Sequence, residues 1–211
     1  MANRPLDTCR LQLLVMRPLC PRRWRDAVRA AIAGGVDLVQ LREKGARTRE
    51  VVEVARELLA ITEPANVPLL IDDDVAAARK LGPAVAGVHL GQEDLPVEMA
   101  RARLGNNAWI GVSTHDELEV GWSERTSATH YGLGACFATA TKREHRLLNF
   151  DELTRALARA KRPVFAIGGI TPENVGMLAR VGVARVAVSA AILAAPDPQE
   201  AAARIRAALP A

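Results

Sequence analysis

The sequence predicts a single (β/α)₈ barrel spanning residues 1–211. Its length is enough for one well-buried core and short for two domains. Eight short apolar segments alternate with eight segments of helical character, as in a compact barrel. The apolar segments lack a polar face, which is typical of parallel strands covered by helices. A doubly wound open sheet is the alternative, because periodicity alone does not show whether a sheet closes.

Turn and cap residues place the ends of these elements. Thr48 is expected to cap a helix, and Thr171 is expected to cap another that has Pro172 at its first position. Gly35 and Gly182 stand where helices should end. The predicted strands cover residues 11–16, 37–41, 68–71, 86–90, 109–112, 131–134, 164–167 and 185–188. The predicted helices cover residues 23–33, 48–61, 75–81, 97–104, 116–123, 150–160, 172–181 and 198–208.

The composition of the chain indicates which kinds of molecule the protein binds. Hydrophobic residues make up 49% of the chain and charged residues 25%, which is typical of a globular protein. The net charge of +4 suits anionic metabolites, and no basic block with interleaved aromatic residues indicates nucleic-acid binding. We therefore expect small-molecule substrates, and a homo-oligomer is compatible with the sequence.

The cysteines, together with the lack of a long apolar run, predict a cytoplasmic protein. Cys9, Cys20 and Cys136 have no metal-ligand spacing and are expected to be free thiols in a reducing compartment. The sequence shows neither the pattern of a signal peptide nor an apolar run of membrane-spanning length. We expect no membrane association.

Polar residues recur directly after the predicted strands, where a barrel of this kind forms its active site. After the second strand, Arg42 and Lys44 could clamp a phosphate or a pyrophosphate. The alternative is that both cations form surface ion pairs with Glu43. After the fifth strand, Ser113 is a candidate hydrogen-bond donor, with capping of the next helix as the alternative. No base is predicted beside it, so we do not expect a nucleophile.

Acidic residues follow the third and fourth strands. Asp72, Asp73 and Asp74 are consecutive and repel one another unless a cation neutralises them. A Mg²⁺ ion binds one or two carboxylates and completes its shell with substrate phosphates and water. Asp74 is expected to cap the following helix, and Asp94 could be the second metal carboxylate, across from Asp73. His89 is interpreted equally well as a wall histidine or a catalytic one.

The last three strands are followed by groups that suit anions. The segment TATK at residues 139–142 combines hydroxyls with a cation. The pair Gly168 and Gly169 permits close approach of backbone amides to a ligand, although a simple tight turn is the alternative. Ser189 precedes a short helical turn, and helix N-termini favour anions. Together the loops predict one metal-bound pyrophosphate and one metal-free phosphate, hence transfer of a pyrophosphate-activated group to a phosphorylated acceptor.

Five segments, in order along the chain, resemble the thiamine phosphate synthase family. They are QLREK at 40–44, HLGQED at 89–94, GVS at 111–113, TATK at 139–142 and IGGIT at 167–171. The resemblance implies a TIM barrel and a transferase of thiamine biosynthesis. That enzyme joins 4-amino-5-hydroxymethyl-2-methylpyrimidine diphosphate to a thiazole phosphate and releases pyrophosphate.

The resemblance also implies roles for individual residues. Asp73 and Asp94 would bind Mg²⁺, Gln40 would face the pyrimidine, and Lys142, Ser113 and Arg42 would act on the departing diphosphate. The implied substrate-binding set is Gln40, Arg42, Lys44, Asp72, Ser113, Thr139, Thr141, Lys142, Gly169, Ser189 and Ala190. Asp72 stands where the family usually has Asn, Ala190 stands where it usually has Ser, and residues 143–149 lack an expected Gly.

Two other functions compete with this one. A thiazole tautomerase is an isomerase of the same fold, but it lacks much of the diphosphate-binding apparatus that this sequence contains. A non-catalytic barrel that binds phosphorylated metabolites would bind both ligands without turnover.

Overall fold

Eight parallel strands pair in sequence order and close into a barrel, with the last strand hydrogen-bonded to the first. The computed structural model describes residues 4–138 and 146–210. The strands are β1 Leu11–Val15, β2 Leu38–Leu41, β3 Leu69–Asp72, β4 Gly87–Leu90, β5 Trp109–Thr114, β6 His130–Leu133, β7 Val164–Ile167 and β8 Val186–Val188. The predicted barrel is therefore confirmed, and the open sheet is excluded.

Helices cover the outside of the barrel. Those in the described residues are α1 Trp24–Ala33, α2 Thr48–Thr62, α3 Val75–Leu81, α4 Val97–Leu104, α5 Glu117–Ser123, α6 Phe150–Arg159, α7 Val175–Arg180, α8 Ala190–Leu193 and α9 Pro198–Ala208. No helix in these residues is long and apolar enough to cross a membrane.

Side chains on each strand alternate between two buried layers. On β1, Leu11, Leu13 and Val15 pack outward against the helices, whereas Leu14 belongs to a smaller cluster inside the barrel. This inner cluster includes the fully buried Phe165 of β7. Since residues at successive strand positions point to opposite faces, the inner positions near the strand ends are the ones that can line a site.

One predicted helix cap and one predicted helix start are wrong, although α2 does begin at Thr48 as predicted. Thr48 is the first helical residue of α2, and the cap position belongs to Arg47, whose backbone N–H donates to Glu50 Oε2. Helix α7 begins at Val175, three residues after Pro172, because Asn174 is held in the preceding turn. Its Oδ1 accepts from Thr171 N at 2.8 Å and its Nδ2 donates to Gly169 O at 2.8 Å.

Candidate active site

A cavity of about 560 Å³ opens where the strands end and their following loops begin. Its position matches the active-site end of (β/α)₈ enzymes. Of the residues predicted for the site, those lining the cavity are Gln40, Arg42, Lys44, Asp72, Asp73, Asp94, Ser113, Gly169, Ser189 and Ala190. Thr139, Thr141 and Lys142, also predicted, lie outside the described residues.

The two cations after β2 face acids of β3. Arg42 Nε lies 3.3 Å from Asp72 Oδ2, and Lys44 Nζ contacts Asp73. Burial alone would lower the pKa of Lys44, but its contacts with Asp73 and Asp72 raise it, so the ammonium stays charged. Both cations therefore reach the cavity as positive charges.

The alternative partner for these cations, Glu43, is engaged elsewhere. Its Oε2 lies 2.7 Å from Arg17 Nη2, and its side chain is only 9% exposed. Because Arg17 follows β1, this ion pair links the loops after β1 and β2. The alternative, a surface pair between Glu43 and Arg42 or Lys44, is therefore excluded, and Arg42 and Lys44 face the acids of the cavity.

The three consecutive acids separate into different roles. Asp74 caps α3 as predicted, with its Oδ1 accepting from Ala77 N at 2.8 Å. Asp72 is the last residue of β3, and its side chain is only 8% exposed. Burial, and then the charge of Asp73, raise the pKa of Asp72 to about 6. Ionising the carboxyl group at this position costs more free energy than ionising it in water. Asp72 is therefore sensitive to any further negative charge nearby.

Asp73 and Asp94 form the carboxylate pair from which a metal site could be built. Burial and the contact with Asp94 raise the pKa of Asp73, although Lys44 opposes the shift. Burial would also raise the pKa of Asp94, but its contact with Asp73 and the Gly91 N–H, 2.7 Å from its Oδ2, lower it. The two acids thus share one environment and compete for one proton or cation.

Two carboxylates fit a magnesium ion that completes its shell from the substrate. In the described part of the chain, no group of three or more His, Cys, Asp or Glu side chains could hold a metal by itself. Mg²⁺ is usually bound through one or two carboxylates together with phosphate oxygens and water. The residues present fit that mode of binding and do not fit a structural metal site enclosed by protein ligands.

The wall between β4 and β6 is built from histidines and a serine. His89 Nε2 lies 3.2 Å from Ser113 Oγ, so Ser113 does have a base beside it, contrary to the sequence prediction. The helix after β5 is capped by Asp116, which excludes the capping role considered for Ser113. His130 is fully buried, and burial, followed by the charge of His89, lowers its pKa to about 3. His130 is therefore neutral and acts as part of the packing.

Gly111 makes room for this histidine pair. A Cβ atom at Gly111 would lie 2.3 Å from His89 Nδ1 and 2.4 Å from His130 Nε2. We expect Gly111→Ala to lower the free energy of unfolding by about 1–3 kcal/mol, the usual cost of overpacking a core. Urea denaturation measures this. Gly176→Ala is the control, because a Cβ there meets nothing within 4 Å; equal stability of the two variants would contradict the prediction.

The opposite side of the cavity is formed by backbone rather than by charged side chains. Gly168 and Gly169 have φ values of 104° and 62°, and a Cβ at Gly169 would lie 2.5 Å from Ala138 O. The hydroxyl of Ser189 donates to Leu14 O at 2.8 Å, so this side chain ties β8 to β1. The N–H groups that begin α8 at Ala190 have no partners within the helix itself. This half of the cavity can therefore bind an anion through N–H groups without a metal.

Comparisons with known proteins identify the family of this chain. Residues 11–192 match the model of a family described as thiamine monophosphate synthase. This chain belongs to that family. It is 41% identical over 191 residues to the thiamine-phosphate synthase of Natronomonas pharaonis, covering 87% of this chain and 86% of that protein. It is 40% identical over 187 residues to the thiamine-phosphate synthase of Chloroflexus aurantiacus, covering 88% of this chain and 85% of that protein.

A solved structure of the thiamine monophosphate synthase family has the same fold. The thiamine phosphate pyrophosphorylase of Pyrococcus furiosus superposes with a TM-score of 0.86 at 32% identity, covering 95% of each chain. A 3-hexulose-6-phosphate synthase superposes with a TM-score of 0.66 at 18% identity, a likeness that extends to the fold alone.

A polar residue of β1 that was not predicted from the sequence also lines the cavity. Gln12 is 2% exposed, lies on β1 and donates from Nε2 to Gln40 Oε1 at 2.6 Å. The sequence does contain an indication of its role, because a Gln at an inner position of an apolar strand needs a hydrogen-bonding partner. The partner itself could not be read from the sequence, since it lies 28 residues away on the neighbouring strand.

Proposed function

We propose that this protein is a thiamine-phosphate synthase, a transferase that joins 4-amino-5-hydroxymethyl-2-methylpyrimidine diphosphate to a thiazole phosphate and releases pyrophosphate. The observation that supports it most directly is the division of one cavity into two halves. Cations and paired carboxylates lie at the ends of β2 to β4, and glycines and helix N–H groups lie after β7 and β8. Membership of the family supports the same reaction.

In this proposal the charged half receives the diphosphate. Arg42, Lys44 and Lys142 hold its oxygens, and Ser113 donates a hydrogen bond to it. Asp73 and Asp94 hold Mg²⁺, which when bound neutralises negative charge on the departing pyrophosphate. Preorganised cations around a leaving group stabilise the transition state more than the ground state, which is what accelerates the chemical step.

The other half receives the nucleophile. Gly169, Ser189, Ala190, Thr139 and Thr141 surround the thiazole phosphate, and Gln40 faces the pyrimidine. As the carbon–oxygen bond to the diphosphate breaks, the aminopyrimidine stabilises positive charge on its methylene carbon. The thiazole nitrogen attacks that carbon, so the reaction needs no protein nucleophile, and the Ser113 hydroxyl serves as a donor.

The direct test is to supply the purified protein with both substrates and Mg²⁺. Mass spectrometry should detect thiamine phosphate and pyrophosphate in equal amounts. The alternative isomerase would instead convert a thiazole carboxylate phosphate to its tautomer without consuming the diphosphate. A barrel that only binds phosphorylated metabolites would bind both ligands and form neither product.

Asp72 should weaken diphosphate binding in this site. Its buried carboxylate lies beside the cations that would receive the diphosphate, and like charges in a partly buried site repel. We expect Asp72→Asn to tighten binding of the pyrimidine diphosphate by roughly tenfold, measured by calorimetry, and to leave thiazole phosphate binding unchanged. A large loss of diphosphate affinity would show instead that Asp72 is a required metal ligand.

A further inference from the structure

A histidine and a carboxylate form a pair at the edge of the cavity, and the binding roles proposed above do not use them. His115 directly follows β5, lines the cavity two residues after Ser113, and has a side chain that is 36% exposed. Its Nδ1 lies 2.9 Å from Oε2 of Glu119, which belongs to the first turn of α5. A histidine oriented by a carboxylate at the wall of a cavity is an arrangement that transfers protons in many enzymes.

The contacts of Glu119 fix which nitrogen of the ring carries a proton. A carboxylate has acceptors only, and turning it over does not change that. Its Oε2 accepts from the backbone N–H of His115 at 2.8 Å as well as from the ring, so Nδ1 must be a donor. The neutral ring then has its lone pair on Nε2, and the imidazolium carries its second proton there. Any proton that this histidine exchanges with a ligand therefore passes through Nε2.

Helix capping explains the backbone contact of Glu119 but not its contact with the ring. Asp116 caps α5 by accepting from Glu119 N at 2.8 Å, and Glu119 reaches back to His115 N, much as in a capping box. Neither contact depends on the side chain at position 115. Gln92 Nε2, from the loop after β4, lies 3.5 Å from the same Oε2 and donates to Ser113 O. The ring is thus held next to the segment assigned to the diphosphate.

Departure of the diphosphate creates a use for a proton donor in this half of the cavity. As the carbon–oxygen bond breaks, its electron pair stays on the diphosphate oxygen, so the leaving group becomes more basic. Cations offset part of this charge, and an acid that shares a proton with the leaving group accelerates such a step by roughly 10²- to 10⁴-fold. A diphosphate in front of the His115 ring and Glu119 behind it would both stabilise positive charge on the ring.

We propose that His115 is a further catalytic residue, which as an imidazolium donates a hydrogen bond from Nε2 to the diphosphate and passes that proton to the departing pyrophosphate, and that Glu119 is a positioning residue for its ring. This inference rests on the proposed function. In the step, the Nε2–H bond breaks as an O–H bond forms on pyrophosphate. The ring is left neutral, with Nδ1–H still donated to Glu119, and it regains a proton from solvent before the next turnover.

The test varies the basicity of the leaving group. In two analogues of the pyrimidine diphosphate, the oxygen between the phosphorus atoms is replaced by CH₂ or by CF₂. The fluorines make the leaving bisphosphonate less basic at nearly constant shape. A less basic leaving group needs less help from an acid, so loss of the acid should slow the CF₂ analogue less. Single-turnover rates with thiazole phosphate and Mg²⁺ measure the chemical step for each analogue.

His115→Asn keeps an amide nitrogen near the position of Nδ1 and removes the donor at Nε2. We expect its single-turnover rate to fall by roughly 10²-fold with the CH₂ analogue and by only about tenfold with the CF₂ analogue. Asp116→Asn is the matched control, because Asn caps a helix as well as Asp does. The control should leave both rates unchanged.

Glu119→Gln tests the positioning role. The amide oxygen can still accept from the backbone N–H of His115, but the negative charge behind the ring is lost. We expect a smaller fall in rate than in His115→Asn, with the same dependence on the leaving group. Because Glu119 acts through His115, adding Glu119→Gln to His115→Asn should slow the reaction no further. A purely structural role of Glu119 would instead give losses that add.

Two results would overturn the inference alone. One is an unchanged rate in His115→Asn, and the other is an equal loss with both analogues, which would indicate a role in binding or structure. If His115→Asn does not fold, His115→Gln decides the matter, since its amide donates a hydrogen bond but transfers no proton. In these cases a wild-type protein that forms thiamine phosphate leaves the proposed function intact. A wild-type protein that forms none would overturn the proposed function and this inference together.

Discussion

Asp73→Asn should reduce kcat for thiamine phosphate formation by roughly 10³-fold or more, because it removes one of two carboxylates available to Mg²⁺. Asp73 adopts a φ of 59°, a conformation that Asn tolerates better than other non-glycine residues. The substitution therefore removes the charge without straining the backbone. Circular dichroism and thermal unfolding should show a folded protein, and added Mg²⁺ should restore little of the rate.

Asp74→Asn is the matched control for this substitution. Asp74 is the adjacent residue, but its carboxylate caps α3 by accepting from Ala77 N, and Asn is an equally good cap. The control should keep nearly full turnover. If Asp73→Asn were fully active in Mg²⁺, or if both variants lost activity equally, the assignment of Asp73 to the metal would be wrong.

Lys142→Ala should lower kcat for thiamine phosphate formation by roughly 10²-fold or more, the scale of losing one preorganised electrostatic donor. This expectation comes from the segment TATK at residues 139–142 and its resemblance to the family. A cation that meets charge growing on the leaving group acts mainly in the transition state, so kcat should fall more than the affinity for thiazole phosphate. Steady-state kinetics with each substrate varied in turn separates these effects.

Lys161→Ala supplies the comparison for this lysine. Lys161 lies just before β7, at the end of the barrel opposite the cavity, so its loss should leave turnover unchanged. A Lys142→Ala variant that weakened only thiazole phosphate binding would show that the two anions have been assigned to the wrong halves of the site. A wild-type protein that isomerised the thiazole carboxylate phosphate without making thiamine phosphate would favour the tautomerase.

The strands of the barrel were predictable because each is a short apolar run with clear boundaries. The prediction for β7 at residues 164–167 coincides with the structure. The ends of β3 and β5 lie beyond the predicted ones because these strands extend into their polar ends, to Asp72 and Thr114. The other five strands differ from the prediction by one residue at one or both ends. An apolar pattern stops where side chains become polar, but strand pairing continues into the active-site loops of β3 and β5, so the sequence ends those two strands too early.

The candidate site was predictable in its composition but not in its pairings. Position after a strand was enough to select the acids and cations, since the fold brings all such positions to one end. Which charges meet depends on barrel geometry, so the Arg17 partner of Glu43 and the His89 partner of Ser113 were missed. Gln12 could not be assigned in the same way, because it lies on the inner face of β1 and not in a loop after a strand.

The division of the cavity into a metal-dependent and a metal-independent half is the central claim, and binding calorimetry tests it most directly. The pyrimidine diphosphate and the thiazole phosphate are titrated separately into wild-type protein, once with Mg²⁺ and once with EDTA. Removing Mg²⁺ should weaken binding of the diphosphate by roughly 10²-fold or more while leaving thiazole phosphate binding unchanged. Equal dependence of both ligands on Mg²⁺, or no dependence of the diphosphate, would contradict the claim.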